Sequence, residues 1–154
     1  MNKKAIIFGA GGQDGFFLAL CCKKRGIDCI SLINNKDGDV RDYSKVSKII
    51  SNEKPDFIFH LSAKSSASHD LVFENHKIIS TGALNILEAT KKYSPNSKVF
   101  IVGSGLQFIN NELPISEETD FEARDPYSVA RIQSVYSARY YRTLGLKVYI
   151  GYLF

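Results

Sequence analysis

Segments of strand and helix character alternate strictly along this chain, and that alternation constrains the fold more than any other feature. "KAIIF" at 4–8 is a short apolar run closed by glycines, which marks a buried strand. "QDGFFLALCCKKRG" reads as a helix ending on Lys23, Lys24 and Arg25, with Gly26 behind them. "DCISLI" (28–33) is a second strand, and "DYSKVSKIISNEK" is a short helix stopped by Pro55. "DFIFHLS" (56–62) is a strand, a helix fills much of 71–93, and "KVFIVGS" is a further strand. After an irregular stretch with Pro114, a helix begins at Asp125, with Pro126 in its first turn and no breaker before Gly145. "LKVYIGYLF" is the last strand. This order predicts an α/β, doubly wound parallel sheet of Rossmann type, formed by residues 1–154 as one domain. Only "NNKDGDVR" lies between the second strand and the next helix, so the usual third strand is short or absent.

The first strand opens into "GAGGQDG", where Gly9, Gly12 and Gly15 fall three residues apart at a strand-to-helix turn. Glycines let the backbone turn tightly and approach a pyrophosphate, whose charge the N–H groups at the helix N-terminus then bind. Gln13 and Asp14 fit this loop as local and capping residues. Tyr127 and Arg131 lie four residues apart on one face of the Asp125 helix, a tyrosine followed by a cation one turn later. The bland alternative is that both are ordinary helix-surface residues.

Other chemistry is excluded more easily. The net charge of +4 is spread over short pairs rather than one basic block, and no nucleic-acid motif is present. No run is apolar enough for a membrane span or a signal peptide. His69 and His76 lack a carboxylate pattern suited to a metal. Cys21, Cys22 and Cys29 have no paired spacing, and as free buried thiols they suggest a reducing cytoplasm. Tyr136, Tyr140 and Tyr141 follow helical spacing and read as packing residues.

Four segments, taken in order, resemble the extended short-chain dehydrogenase/reductases, the NAD(P)-dependent sugar-nucleotide epimerase/dehydratase family, with "GQDG" particularly similar to GDP-mannose dehydratases. The glycine segment resembles that family's phosphate loop, adding Gln13 and Asp14 to the expected cofactor contacts. "GDVRD" resembles its adenine-contacting segment and implicates Asp39 and Val40. "FHLSAKSS" resembles the H-x-A-A segment along the cofactor and implicates His60, Leu61, Ser62 and Ala63. "SGLQF" and "YSVAR" resemble the catalytic hydroxyl and the Y-x-x-x-K pair, carried here by Ser104, Tyr127 and Arg131. The resemblance implies that Tyr127 exchanges a proton with a sugar hydroxyl while hydride moves to or from nicotinamide. Arg131 would be its electrostatic partner, also near the cofactor, and Ser104 would orient the nucleotide-sugar substrate. It also implies a homodimer through the 71–93 and 126–144 helices, where Ile78, Ile79, Leu84, Leu87, Ile132, Val135, Tyr136 and Tyr140 supply apolar surface.

Departures from the pattern matter as much. Arg131 stands for the usual lysine: the charge stays, but a planar fork replaces a compact ammonium. Leu106 stands where dehydratases place an acid, Phe108 where a tyrosine is common, Ile79 where an asparagine is usual and Lys64 where glutamine is frequent. Where an NAD site places an acid after the second strand, the sequence reads Asn34, Asn35, Lys36, so Asn34 and Lys36 are the expected ribose contacts and NADP is slightly preferred over NAD. The sequence given stops at Phe154, where the family's sugar-binding domain would begin. The expectation is therefore an NAD(P)-binding portion of an epimerase-, dehydratase- or reductase-type enzyme, inactive as an isolated chain. The rival is a non-catalytic dinucleotide- or partner-binding module derived from such an enzyme.

Overall fold

The computed structural model describes residues 2–33 and 38–154. Strands β1 (Lys4–Phe8), β2 (Asp28–Leu32), β3 (Phe57–His60), β4 (Lys98–Ser104) and β5 (Lys147–Leu153) form one sheet in the order β2-β1-β3-β4-β5. Every pairing is parallel, from Ile6 opposite Ile30 and Ile58 through Ile101 opposite Ile150. Among the described residues no strand lies between β2 and the next helix, so β2 is an edge strand, as the short interval predicted. The Asn34 and Lys36 expectations fall outside the described residues.

Helices α1 (Gln13–Lys24), α2 (Tyr43–Glu53), α3 (Gly82–Tyr93) and α4 (Pro126–Thr143) make the crossovers. Local chemistry sets their ends. Asp42 accepts from Ser44 and Lys45 backbone N–H at 2.9 and 3.2 Å to start α2. Asp125 accepts from the Ser128 N–H at 2.8 Å, while Ser128 Oγ accepts from the Asp125 N–H at 3.1 Å. Such a reciprocal cap contributes about 1 kcal/mol and fixes where Tyr127 begins its turn.

One face of the sheet carries Ile6, Phe8, Ile58, Val99, Ile101 and Val148, buried against α2, α3 and α4. On the other face Ala5 and Ile7 pack with Cys22 of α1. Farther across that face Phe59 and Phe100 meet ring to ring, and Tyr149 stays 51% exposed.

The helix expected over 71–93 is interrupted. A 3-10 turn at His69–Leu71 and an α turn at Val72–Asn75 lead into π-helix at His76–Thr81 before α3 begins. A Cβ on Gly82 would lie 2.9 Å from Val40 Cγ2 and 3.4 Å from His60 Cε1, so the chain here runs close against its neighbours. In the π segment the Ile79 carbonyl faces His60 Nε2 at 3.2 Å.

Several expectations on side-chain placement are corrected. Ile79, Leu87 and Val135 are fully buried in the protomer's own interior and offer nothing to a second copy. Leu84, Tyr136 and Tyr140 do remain exposed. Tyr141 is buried and donates its hydroxyl to Glu88 at 2.6 Å. Cys21 is exposed rather than buried, because α1 turns Cys22 and not Cys21 toward the sheet. Arg131 is no helix-surface residue: it is 4% exposed.

Candidate cofactor and proton-transfer crevice

The crevice begins where β1 ends. Gly9 has φ +90, a region costly to side-chain-bearing residues, and its N–H and that of Ala10 both reach the Leu32 carbonyl at 3.1 Å. A Cβ on Gly9 would lie 2.6 Å from Ser62 N, so the loop rests directly on the backbone leaving β3. A Cβ on Gly15 would run into the Gly9 carbonyl and lie 2.6 Å from Ala10 Cα. Gly12 differs: its nearest neighbour would be 3.6 Å away, so any side chain there enters open space. Gly12 is also the N-cap of α1 and no side chain caps that end, which leaves first-turn N–H groups free to face an anion.

That open space is a cavity of about 480 Å³. Gly9, Gly12, Gln13, Asp14 and Gly15 line it from the loop, Leu61, Ser62 and Ala63 from the end of β3, and Val40 from the far side. A second compartment of about 190 Å³ continues from it, sharing Asp14, Leu61, Ala63 and Ser65. Its other walls include Ser104, Tyr127 and Arg131, so residues up to 27 positions apart in sequence meet at one end of the crevice. Asp39 does not line either compartment. Its carboxylate is held by Arg41 Nε and Nη2 at 2.9 Å each, and these hydrogen bonds keep its pKa below the usual carboxylate value.

Each member of the far group is fixed by a different element. Ser104 ends β4; its Oγ accepts from the Leu106 N–H at 3.2 Å, and its own N–H donates to Gln107 Oε1 at 2.9 Å. Tyr127 sits half-buried in the first turn of α4. Arg131 turns inward, donates Nη1 to the Val102 carbonyl at 2.8 Å, and places its guanidinium carbon 5.0 Å from the Tyr127 ring centre. Its Nε is buried without a partner, and burial lowers its pKa.

His60 is fully buried and lines neither compartment, contrary to its expected place along the cofactor. Its Nδ1 has no partner, and burial pushes its pKa down to about 4. Leu106 and Lys64 are exposed. Gln107, buried and holding the Ser104 backbone, is a supporting residue the motif reading missed, although "SGLQ" is itself a capping-box pattern. Among the described residues no cluster of three metal-ligating side chains occurs, and no helix is long and apolar enough to cross a membrane.

A family model described as GDP-mannose 4,6 dehydratase matches residues 35–154. The chain is 26% identical over 186 aligned residues to GDP-mannose 4,6 dehydratase 1 of Arabidopsis thaliana, covering 99% of this chain and 52% of that protein. It is 28% identical over 193 residues to a GDP-mannose 4,6-dehydratase of Vibrio cholerae, covering all of this chain and 50% of the relative. The chain thus spans about half the length of the curated relatives it matches. The aligned spans exceed the chain's own length, so gaps in this chain face extra residues in the relatives. Among solved structures, a dTDP-4-dehydrorhamnose reductase of Clostridium acetobutylicum superposes with a TM-score of 0.85 at 19% identity, over 97% of this chain and 52% of that one. A UDP-glucose 4-epimerase of Thermus thermophilus in complex with NAD gives 0.80 at 19% identity, over 96% and 53%. At such identities these structures show the shared fold.

Proposed function

The chain belongs to the GDP-mannose 4,6 dehydratase family, and from that premise we propose that residues 1–154 form a nicotinamide dinucleotide-binding domain serving sugar-nucleotide chemistry. The observation that carries this reading is the continuity of the crevice, from the bare Gly12 loop to Ser104, Tyr127 and Arg131. The loop N–H groups would hold the pyrophosphate, and Leu61, Ser62 and Ala63 would lie along the dinucleotide. When bound, the nicotinamide supplies a hydride acceptor or donor. Tyr127 would exchange a proton with a hydroxyl of the nucleotide sugar, Ser104 would hydrogen-bond that hydroxyl, and Arg131 would be the electrostatic partner of Tyr127. The exposed Leu106 offers no proton, which supports an epimerase- or reductase-type reaction over dehydration. NADP is preferred slightly over NAD because the place where an NAD site carries an acid reads Asn34, Asn35, Lys36.

The test is calorimetric titration of the folded chain with NAD⁺, NADH, NADP⁺ and NADPH. At least one should bind, and Gly12→Val should weaken it by about 100-fold or more, since the added side chain meets ligand rather than protein. Absence of binding to all four would overturn the reading.

We also propose a cytoplasmic homodimer. The free cysteines support a reducing compartment. Leu84, Tyr136 and Tyr140, exposed by 45, 57 and 59%, are apolar surface on α3 and α4 that a second copy would cover. Light scattering at high concentration should give twice the chain mass, and Tyr140→Lys should lower it; a monomer throughout would refute the assembly.

A further inference from the structure

The two faces of the sheet are covered unequally. With right-handed crossovers, the step from β1 to β2 puts α1 on one face, and the opposite steps out to β3, β4 and β5 put α2, α3 and α4 on the other. On the α1 side, the described residues supply no element over β4 and β5. Phe57, Phe59, Phe100 and Tyr149 alternate onto that side, each with part of its surface in solvent. Phe100 lies across its neighbour strand: a Cβ on Gly151 would stand 2.5 Å from its ring. Between this aromatic floor and α1 runs an apolar slot of about 170 Å³, walled by Leu18, Cys21 and Cys22 on one side and by Phe57 and Phe59 on the other. The strip has the dimensions of one helix. β3 to β5 spans ~10 Å, the spacing of packed helices. The seven-residue strands β4 and β5 run ~23 Å, the length of a helix of about 16 residues. One end of the strip is basic. Lys98 and Lys147 are exposed and opposite each other in register, on the same side as Phe100 and Tyr149. Lys3 Nζ lies 5.6 Å from the centre of the Phe57 ring, and Arg25 borders the slot. Among the described residues none of these four cations is in an ion pair.

We propose that this strip is a docking site for an amphipathic α-helix of a partner polypeptide, with its apolar stripe beside α1 over β3, β4 and β5 and an acidic end on Lys98 and Lys147. The proposal goes beyond the dinucleotide reading and does not depend on it. The chemistry of the strip selects the occupant. A second copy of the same face would set lysine against lysine. A flat bilayer would rest on α1, which stands about one helix diameter, ~10 Å, above the sheet, and would leave the aromatic floor untouched. A helix fits between: leucine-sized side chains enter the slot, and carboxylates at its end meet the lysines.

The test uses three fluorescent, helix-stapled peptides of about 16 residues. One carries a leucine stripe with glutamates at one end, the second the same stripe with lysines there, and the third the first composition scrambled. Anisotropy at low ionic strength should show the acidic striped peptide binding at least ~10-fold more tightly than either other. Tyr149→Glu, at a half-exposed edge position, should weaken that binding at least as much. Lys98→Glu with Lys147→Glu should reverse the preference toward the lysine peptide. Like charges already stand opposite each other at these exposed positions, so the double change leaves the fold intact, as circular dichroism checks. No binding of the acidic striped peptide, equal binding of the acidic and basic peptides, or binding unchanged in Tyr149→Glu would each overturn the proposal. Two further arms name the other occupants. Capture of phosphatidylserine–phosphatidylcholine vesicles by wild type and not by Tyr149→Glu would assign the face to a membrane. A light-scattering mass that falls in Tyr149→Glu would assign it to a second copy. Either result overturns the helix proposal, and neither bears on dinucleotide binding.

Discussion

Gly9→Ala is expected to destabilise the chain by about 3 kcal/mol, the sum of an unfavourable left-handed backbone and an overlap that backbone atoms cannot relieve. Gly9 sits at φ +90, and the new methyl would stand 2.6 Å from Ser62 N and 2.8 Å from Leu61 C. Gly26 is the internal control: it too has positive φ, at +65, but an added Cβ there meets nothing within 4 Å. Gly26→Ala should therefore cost only about 1 kcal/mol. Urea denaturation of both variants checks the difference. Equal losses would mean that contact with the β3 exit contributes nothing, and that the crevice wall is not built as described.

The second large effect is on acid stability. His60 titrates near 6.5 when unfolded and at about 4 when folded, because its burial excludes the charged form. Between those values the unfolded chain binds a proton that the folded chain refuses. The contribution is therefore complete above pH 6.5 and is lost as pH falls toward 4. Moving from pH 7 to pH 4.5 should remove about 2 kcal/mol through this residue alone. Denaturant titrations at the two pH values should show that drop in wild type and a clearly smaller one in His60→Gln. A parallel drop in both would assign acid sensitivity to other groups.

Much of this architecture was legible in the sequence because each signal was local. β4 was read to the residue, since "KVFIVGS" is bounded by a polar turn and a glycine. The α4 start was equally plain from Asp125 and Pro126. That a third strand would be short or absent followed from the short "NNKDGDVR" interval, and among the described residues there is none. The π turn was not legible: it depends on how closely Gly82 approaches Val40 and on the His60–Ile79 contact, which join distant positions. The burial of Arg131 lay in between. Ser128, Arg131, Ser134, Val135, Ala138 and Tyr141 recur at three- and four-residue steps, and all are buried. Their small neighbours make room for a guanidinium, but the helical period alone does not tell which face meets β4. Motif spacing therefore gathered Tyr127 and Arg131 correctly, while leaving the Val102 anchor and the Gln107 support to be found in three dimensions.

The two ends of the crevice occupy unequal ground in the sheet. The glycine loop springs from β1, flanked by β2 and β3 and covered on both faces. Ser104 and the carbonyl that anchors Arg131 belong to β4, one strand from the margin, where among the described residues β5 pairs only with β4 and Tyr149 is half-exposed. Change is unevenly affordable across such a molecule. Substitutions near the glycine loop disturb the middle of the sheet, whereas alterations along the β5 border reach the Ser104 end of the crevice without touching that loop. A scaffold arranged this way is evolvable in one direction: it can keep its glycine loop intact while new neighbours at its border redefine what meets the other end of the crevice.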